Sequence, residues 1–249
     1  MASATKKVLF YLLILALWEA VYQIRPASLP SPFEVFRTLL EGVVEKGYLE
    51  GMVVSLRRIA IGYGLSIAAG ILLGILLAWS RTLEETMGSA IVSLQALPSI
   101  CWLPLALIWF GLSEGAIIFV VVIGSLLSIT MATTIGIKRV PPILTSAART
   151  MGAHGLRLHL HVTFPAALPS VVEGMKQGWS FAWRSLMAGE LLFVTQGIGH
   201  HLAMGRELND MSQVIAVMLL IVGMGLLVDV FIFATLERRI RERWGLQKG

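Results

Sequence analysis

Four stretches of this chain run without a charged residue: 59–80, 87–113, 115–137 and 211–228. A helix needs about 20 apolar residues to cross a hydrocarbon core of about 30 Å, and each stretch is close to that length or beyond it. Inside lipid every backbone N–H and C=O must be paired within the chain, which leaves only helices and closed barrels. The four stretches lack the alternation of barrel strands, so they predict an all-α integral membrane protein.

Composition points the same way. The chain of 249 residues is 56% hydrophobic and only 14% charged, with a mean hydropathy of +0.79. That balance excludes an ordinary water-soluble domain and leaves room for one membrane domain, residues 1–249. Cys101 is the single cysteine, which excludes an internal disulfide framework and offers no metal-site spacing.

Two further spans carry charges. The first, residues 8–23, includes Glu19 and follows Lys6 and Lys7; no small-residue cleavage site follows it, so it reads as a retained first helix rather than a signal peptide. The fifth, residues 168–193, includes Glu173, Lys176, Arg184 and Glu190. The expectation is therefore six transmembrane helices.

The charge of +5 reports orientation rather than nucleic-acid binding, because the basic residues cluster at span ends. With the N-terminus inside, twelve fall on the inner side: Lys6, Lys7, Arg81, Lys138, Arg139, Arg149, Arg157, Arg238, Arg239, Arg241, Arg243 and Lys248. Six fall outside: Arg25, Arg37, Lys46 and Arg206, with Arg57 and Arg58 at the mouth of the second helix. This asymmetry predicts N-in and C-in.

Three connections are long. Residues 31–50 place Phe33, Val35, Phe36, Leu39, Leu40, Val43 and Val44 at helical spacing among charges, an amphipathic helix at the outer interface. Residues 194–213 read as an outer surface loop, with a loop that dips back between the spans as the alternative. Residues 138–167 form the longest inner connection. Within the spans, Gly62, Ser66, Gly70, Gly74 and Ala78 recur every four residues and make a ridge that lets another backbone approach. Pro98 and Pro104 are expected to bend the third helix.

Residues 145–170 read TSAARTMGAHGLRLHLHVTFPAALPS. Ala147, Ala148 and Met151 form a small apolar face, Gly152 ends or bends that helix, and the prolines stop the segment before the fifth span. This stretch resembles the hallmark loop of bacterial ABC importer permeases: Glu-Ala-Ala, three residues, Gly, nine residues, Ile, one residue, Leu, Pro. Ala147, Ala148, Gly152 and Pro165 match; Val162 and Phe164 replace Ile and Leu, and Ser146 stands in place of Glu. LQALPSICWLPLALIWFGLSEG (94–115), WSFAWRSLMAGELL (179–192) and VDVFIFATLERRIRERW (228–244) are similar to the subfamily importing nitrate, bicarbonate, taurine and aliphatic sulfonates.

The resemblance implies a type I ABC importer permease fold in the inner membrane, with Ser146, Ala147, Ala148, Met151, Gly152 and Pro165 docking on an ATPase. It also implies two ATPase subunits, a second permease copy in a homodimer and an external solute-binding protein. ATP and magnesium belong to the ATPase, and this chain binds no cofactor of its own. No GxxxxGK[ST] loop, HExxH pair or nucleophile–base constellation occurs, so no enzymatic activity is expected. A channel, a secondary transporter or a permease for a neutral heterocycle are the competing readings.

A charge at a helix centre costs about 2.5–3.5 kcal/mol on insertion scales, so it pairs or faces a cavity. Glu173 and Lys176 are three apart and are expected to pair. Arg184 and Glu190 have no local partner and are pathway candidates, with Trp179 and Trp183 on the stripe of Lys176 and Glu190. Glu19 and Asp229 are expected to pair or snorkel. His154, His159 and His161 lack an acidic or cysteine companion and read as solvated. Single cysteines at Lys46 and Arg157, in a Cys101→Ala background, should label from opposite membrane faces; labelling of both by an impermeant reagent from one face would end the six-helix topology.

Overall fold

The computed structural model describes residues 2–25, 29–192 and 196–243, without the side chains of 2–4, 241 and 243. Val194, Thr195, Trp244 and Lys248, all used in the sequence reading, lie outside the described residues. Every regular element described is helical. The helices are α1 (Ala2–Ile24), α2 (Pro32–Val44) and α3 (Tyr48–Trp79). A broken pair, α4 (Arg81–Gln95) and α5 (Ser99–Phe110), follows, then α6 (Glu114–Lys138) and the short α7 (Pro142–Thr150). The chain closes with α8 (Phe164–Leu192), α9 (Ile198–Glu207), α10 (Met211–Val228) and α11 (Ala234–Arg243).

Four helical stretches are long and apolar enough to cross a membrane: Thr5–Ile24, Tyr48–Trp79, Glu114–Lys138 and Met211–Ile240, the last joining α10 to α11 through a π-turn. The broken pair adds a fifth if its halves make one span. The chain divides into two units, Met1–Ser55 with Val194–Met224, and Leu56–Phe193 with Gly225–Gly249.

In the first unit, α1 buries none of its apolar window. The amphipathic segment is two helices rather than one element over 31–50. Ser31 caps α2 in a reciprocal capping box with Glu34, and α3 restarts at Tyr48 after Gly47 turns the chain with φ +74°. The Tyr48 ring fills the place a Cβ on Gly42 would take. Residues 198–207, read as loop, are helix α9, because Ser55 and Gln213 give its backbone fixed partners. The Ile198 N–H donates to Ser55 Oγ at 2.9 Å, and Gln213 Nε2 donates to the His201 carbonyl at 2.9 Å. His201 packs at a tilt against Tyr48 with ring centroids 4.9 Å apart; burial, and then His200 beside it, hold its imidazole below the ordinary histidine range.

The second unit is built on close backbone approach. The small ridge of α3 meets α6: a Cβ on Gly62 would lie 2.8 Å from Val121 Cγ1, and one on Gly74 would lie 2.7 Å from the Thr130 carbonyl. Ser125 Oγ donates to Ser66 Oγ at 2.8 Å, and Thr134 Oγ1 donates to the Gly74 carbonyl at 3.1 Å. On its other side α6 packs along α8, where a Cβ on Gly136 would stand 2.8 Å from Ser170 Cβ and one on Gly178 would stand 2.9 Å from Ile129 Cγ1. Lipid supplies no hydrophobic drive between helices, so this contact rests on dispersion and on such hydrogen bonds.

Three helix expectations are corrected. The third span is not one bent helix: its two halves turn by 102° at Pro98, since proline removes a donor and forbids the preceding residue its helical conformation. Pro104 breaks nothing, because α5 opens with a 3-10 turn, Ser99–Trp102, and Pro104 sits in the first turn of the α-helical part that follows, Leu103–Phe110, where no N–H is needed. Pro165 and Pro169 do not stop the chain before the fifth span. Pro165 falls in the first turn of α8 and Pro169 inside it, while the π-turn His159–Thr163 leads in with the Phe164 N–H bonded to the His159 carbonyl.

Gly74→Val should lower stability by about 1–3 kcal/mol through overpacking against α6. Gly64→Val, where a Cβ meets nothing within 4 Å, should change it by less than about 0.5 kcal/mol. Thermal unfolding of both variants in one detergent checks this contrast.

Candidate functional site

Helix α8 carries two faces of different character. Trp179, Ala182, Leu186 and Glu190 are buried, and Trp183 is half-buried. Trp179 packs edge-on to Tyr63 at 5.4 Å, stacks on Trp183 at 5.8 Å and meets Phe233 at 6.3 Å. Tyr63 Oη fixes this wall by donating to the Met175 carbonyl at 2.6 Å. The adjoining stripe, Gln177, Phe181, Arg184 and Ala188, lines a cavity of about 540 Å³. Spacings of four, three and four residues put these side chains on one face of the helix.

The cavity's other walls are α6 and the break between α4 and α5. Gln95, Pro98, Ser99 and Trp102 come from the break, and Gly124, Leu127, Ser128 and Met131 from α6. Gln95 Nε2 donates to the Leu127 carbonyl at 2.8 Å and so ties the end of α4 to α6. Gly124 keeps the wall thin, since a Cβ there would run into the Ser185 hydroxyl and stand 3.3 Å from Ser99 Cβ. Arg184 donates through Nε to the Ser180 carbonyl at 3.1 Å, and its guanidinium lies 5.2 Å from the Phe181 ring centroid. None of the described residues lining the cavity is acidic.

Of the four pathway candidates, Arg184 lines this cavity, while Trp179, Trp183 and Glu190 belong to the packed side of α8. Glu190, 0% exposed, is bound by Arg58 Nη1 at 3.0 Å; Arg58, 2% exposed, also reaches Glu114 Oε1 at 3.1 Å through Nη2. Arg57 completes the cluster, bonding Glu114 at 2.6 Å. Two arginines and two carboxylates thus bind α3, α6 and α8 at one end of the unit. Arg58 stands inside a continuous helix rather than at its mouth. The cue was an arginine pair bordering an apolar run, with no local acid beside it.

The expected Glu173–Lys176 pair does not form, whereas Asp229 pairs as expected. Glu173 is exposed, and Lys176 binds Asp229 at 3.3 Å and Glu237 at 3.5 Å instead. Its long stem reaches across to the π-turn and to α11 more readily than back along its own helix. Glu19 accepts from Gln23 at 3.3 Å, and Lys138 pairs with Glu84. Of the histidines, His159 packs at a tilt against Trp79 at 5.0 Å and His161 Nδ1 approaches the Arg157 carbonyl at 3.1 Å.

The second candidate is α7. Ala148 is buried, while Ser146, Ala147 and Met151 are exposed, as are Ile143 at 73% and Met151 at 87%. Gly152, at φ +86°, ends the helix: the Met151 N–H bonds the Ala147 carbonyl at 3.1 Å, and the Ala153 N–H bonds the Ala148 carbonyl at 2.9 Å. Pro165 lies beyond the π-turn, at the start of α8, rather than on this surface.

Glu190→Leu should destabilise the protein by about 1–3 kcal/mol, because it leaves Arg58 Nη1 buried without its partner while Glu114 still holds Nη2. Adding Arg58→Met should recover most of that loss. Unfolding midpoints of the single and double variants measure the coupling.

Comparison with known proteins follows these features closely. Residues 70–242 match the family described as "Binding-protein-dependent transport system inner membrane component". A putative ABC transporter permease of Methanocaldococcus jannaschii is 35% identical, over 87% of this chain and 84% of its own length. The nitrate import permease protein NrtB of Synechocystis sp. is 28% identical, over 88% and 83%. The putative aliphatic sulfonates transport permease protein SsuC of Escherichia coli is 30% identical, over 93% and 88%. Among solved structures, the inward-facing MetNI methionine ABC transporter aligns with a TM-score of 0.66 at 19% identity, covering 78% of this chain and 95% of its own.

Proposed function

Since the chain belongs to the family of binding-protein-dependent transport system inner membrane components, we propose that it forms the pathway of an ATP-driven importer for a small anionic or zwitterionic solute. It is a non-catalytic membrane subunit. The observation that carries the proposal is α7, a short helix ended by Gly152 with Ile143 and Met151 exposed, at the position of the family's Glu-Ala-Ala loop. An exposed apolar face on a short helix suits insertion into a partner's groove. In this reading Ser146, Ala147, Ala148, Met151 and Gly152 dock on a cytoplasmic ATPase, and Pro165 sets the angle at which the chain enters α8.

The assembly comprises two copies of this chain, two ATPase subunits carrying ATP and magnesium, and an external solute-binding protein. Each copy spans the membrane six times with both ends inside: Thr5–Ile24, Tyr48–Trp79, Glu114–Lys138 and Met211–Ile240, the broken pair as one span, and α8. The charges of α8 are tolerated because Glu190 is paired within protein and Arg184 faces the cavity. Arg184 is the pathway residue. Trp179, Trp183 and Glu190 form the rigid backing that holds it in place.

Nitrate and sulfonate permeases among the relatives support an anion, and an arginine in a cavity walled by neutral groups attracts one. Met151→Asp and Gly152→Trp should leave the protein inserted and abolish stimulation of ATP hydrolysis by solute-loaded binding protein. Arg184→Gln should slow uptake while assembly and basal ATP hydrolysis persist. Full stimulation in both loop variants would refute the docking role of α7, and unchanged uptake would remove Arg184 from the pathway.

A further inference from the structure

We infer that His201 is an acid-sensitive clamp: its neutral imidazole holds α9 on the joint between α2 and α3, and protonation loosens that hold. The inference goes beyond the importer reading and takes from it only the side of the membrane, since the six-span topology puts α9 on the outer face. Two features lead there: the closeness of the contacts that hold the ring, and the lack of any partner suited to a positive charge on it.

The contacts run from helix to helix in series. The Tyr48 ring, 0% exposed, occupies the space of a side chain on Gly42 and so joins α2 to the first turn of α3. His201 lies against that same ring. A Cβ on Gly51 would stand 3.0 Å from His201 Cδ2 and 3.2 Å from the Gly197 carbonyl, so the imidazole and the start of α9 rest directly on the backbone of α3. At its other end α9 closes on α10, where a Cβ on Gly205 would stand 3.0 Å from Gln213 Cγ. With glycines at both ends of α9, the helix is held by close approach. A ring that draws water toward itself cannot be kept in such a place without cost.

The clamped ring is a poor site for a proton. Burial disfavours the imidazolium, and so does His200, whose ring centroid is 6.1 Å away. The Gly47 carbonyl favours the proton and is outweighed by these two. The charged groups on the surrounding elements offer little relief. Glu45 and Lys46 in the turn after α2, Glu50 on α3, and Arg206 and Glu207 on α9 are all exposed to solvent. Asp210, which precedes α10, accepts from the Gln213 N–H at 2.9 Å, and Tyr48 is an uncharged phenol near neutral pH. Once released, the imidazole regains water and titrates as an ordinary histidine, at about 6.5. The released form therefore takes a proton more readily than the clamped one. It follows that the clamp is held in full above that value and weakens as the pH falls below it.

Hydrogen–deuterium exchange on the full chain in lipid nanodiscs reads the clamp without a binding protein or an ATPase. Protection factors remove the intrinsic pH dependence of exchange. Protection of residues 198–207 should fall severalfold between pH 7.5 and 5.5, with about tenfold as the ceiling that an ordinary histidine sets. Protection of residues 115–137 in α6 should hold over the same range. His201→Gln keeps an amide donor and does not titrate, so its protection should stay level with pH. His200→Gln should reduce the fall, because the clamped imidazole then takes its proton at lower cost. Equal protection of residues 198–207 at the two pH values in the parent would overturn the inference, as would a fall in His201→Gln as large as the parent's. Either result leaves the importer reading standing, since that reading fails on the α7 variants and not on exchange in α9.

Discussion

Everything in the second unit depends on how closely α6 can be approached by α3 and α8. Lipid is as apolar as the side chains it surrounds, so burial against lipid gains nothing and helices associate through contact alone. Gly62, Gly70 and Gly74 remove the side chains that would hold α3 away from α6, and Gly136, Gly174 and Gly178 do the same on the side of α8. With the backbones this near, short hydroxyl bonds such as Ser125 to Ser66 become possible between helices. The Arg57–Arg58–Glu114–Glu190 cluster then fastens the same three helices at one end. Its Arg58–Glu190 pair is buried, and buried charge is costly to leave half-made, so the pair resists separation of its helices.

This rigid packing gives α8 two faces with different work. Its tryptophan face is locked against Tyr63 and Phe233, so the rotation of the helix is fixed. That fixed rotation delivers Gln177, Phe181, Arg184 and Ala188 to the cavity. The break at Pro98 serves the same end: a straight helix would cover α6, whereas the 102° turn leaves a recess beside Gly124. Irregular backbone within a membrane protein is tolerated where it lines a cavity.

Much of the architecture could be read directly from residue types. Charge-free runs located the apolar helices because lipid permits little else, and the four-residue recurrence of small side chains marked the contact face of α3 before its partner was known. The Ala147–Ala148–Gly152 spacing marked a short helix with a glycine stop, and Gly152 adopts the left-handed conformation that such a stop requires. What could not be read was pairing across long separations. Arg58 and Glu190 are 132 positions apart, and no local spacing rule connects them. By the same limit, local spacing predicts Glu173 as the partner of Lys176, whose partners Asp229 and Glu237 come from the last helices. A proline also gives a donor deficit without saying whether the chain will bend, break or begin a helix there. Pro98, Pro104 and Pro169 do three different things.

The central claim is that the Gln177–Phe181–Arg184–Ala188 face of α8 borders the solute path, while the face of Trp179 and Ala182 is structural. Cysteine accessibility in the assembled, transporting complex tests it most directly. In a Cys101→Ala background, a cysteine at Ala188 should react with a small anionic thiol reagent, lose uptake on reaction and be protected by saturating solute. A cysteine at Ala182, which is 0% exposed, should stay unmodified. Equal reactivity at the two positions, or reaction at Ala188 that leaves uptake intact and is unaffected by solute, would contradict the account.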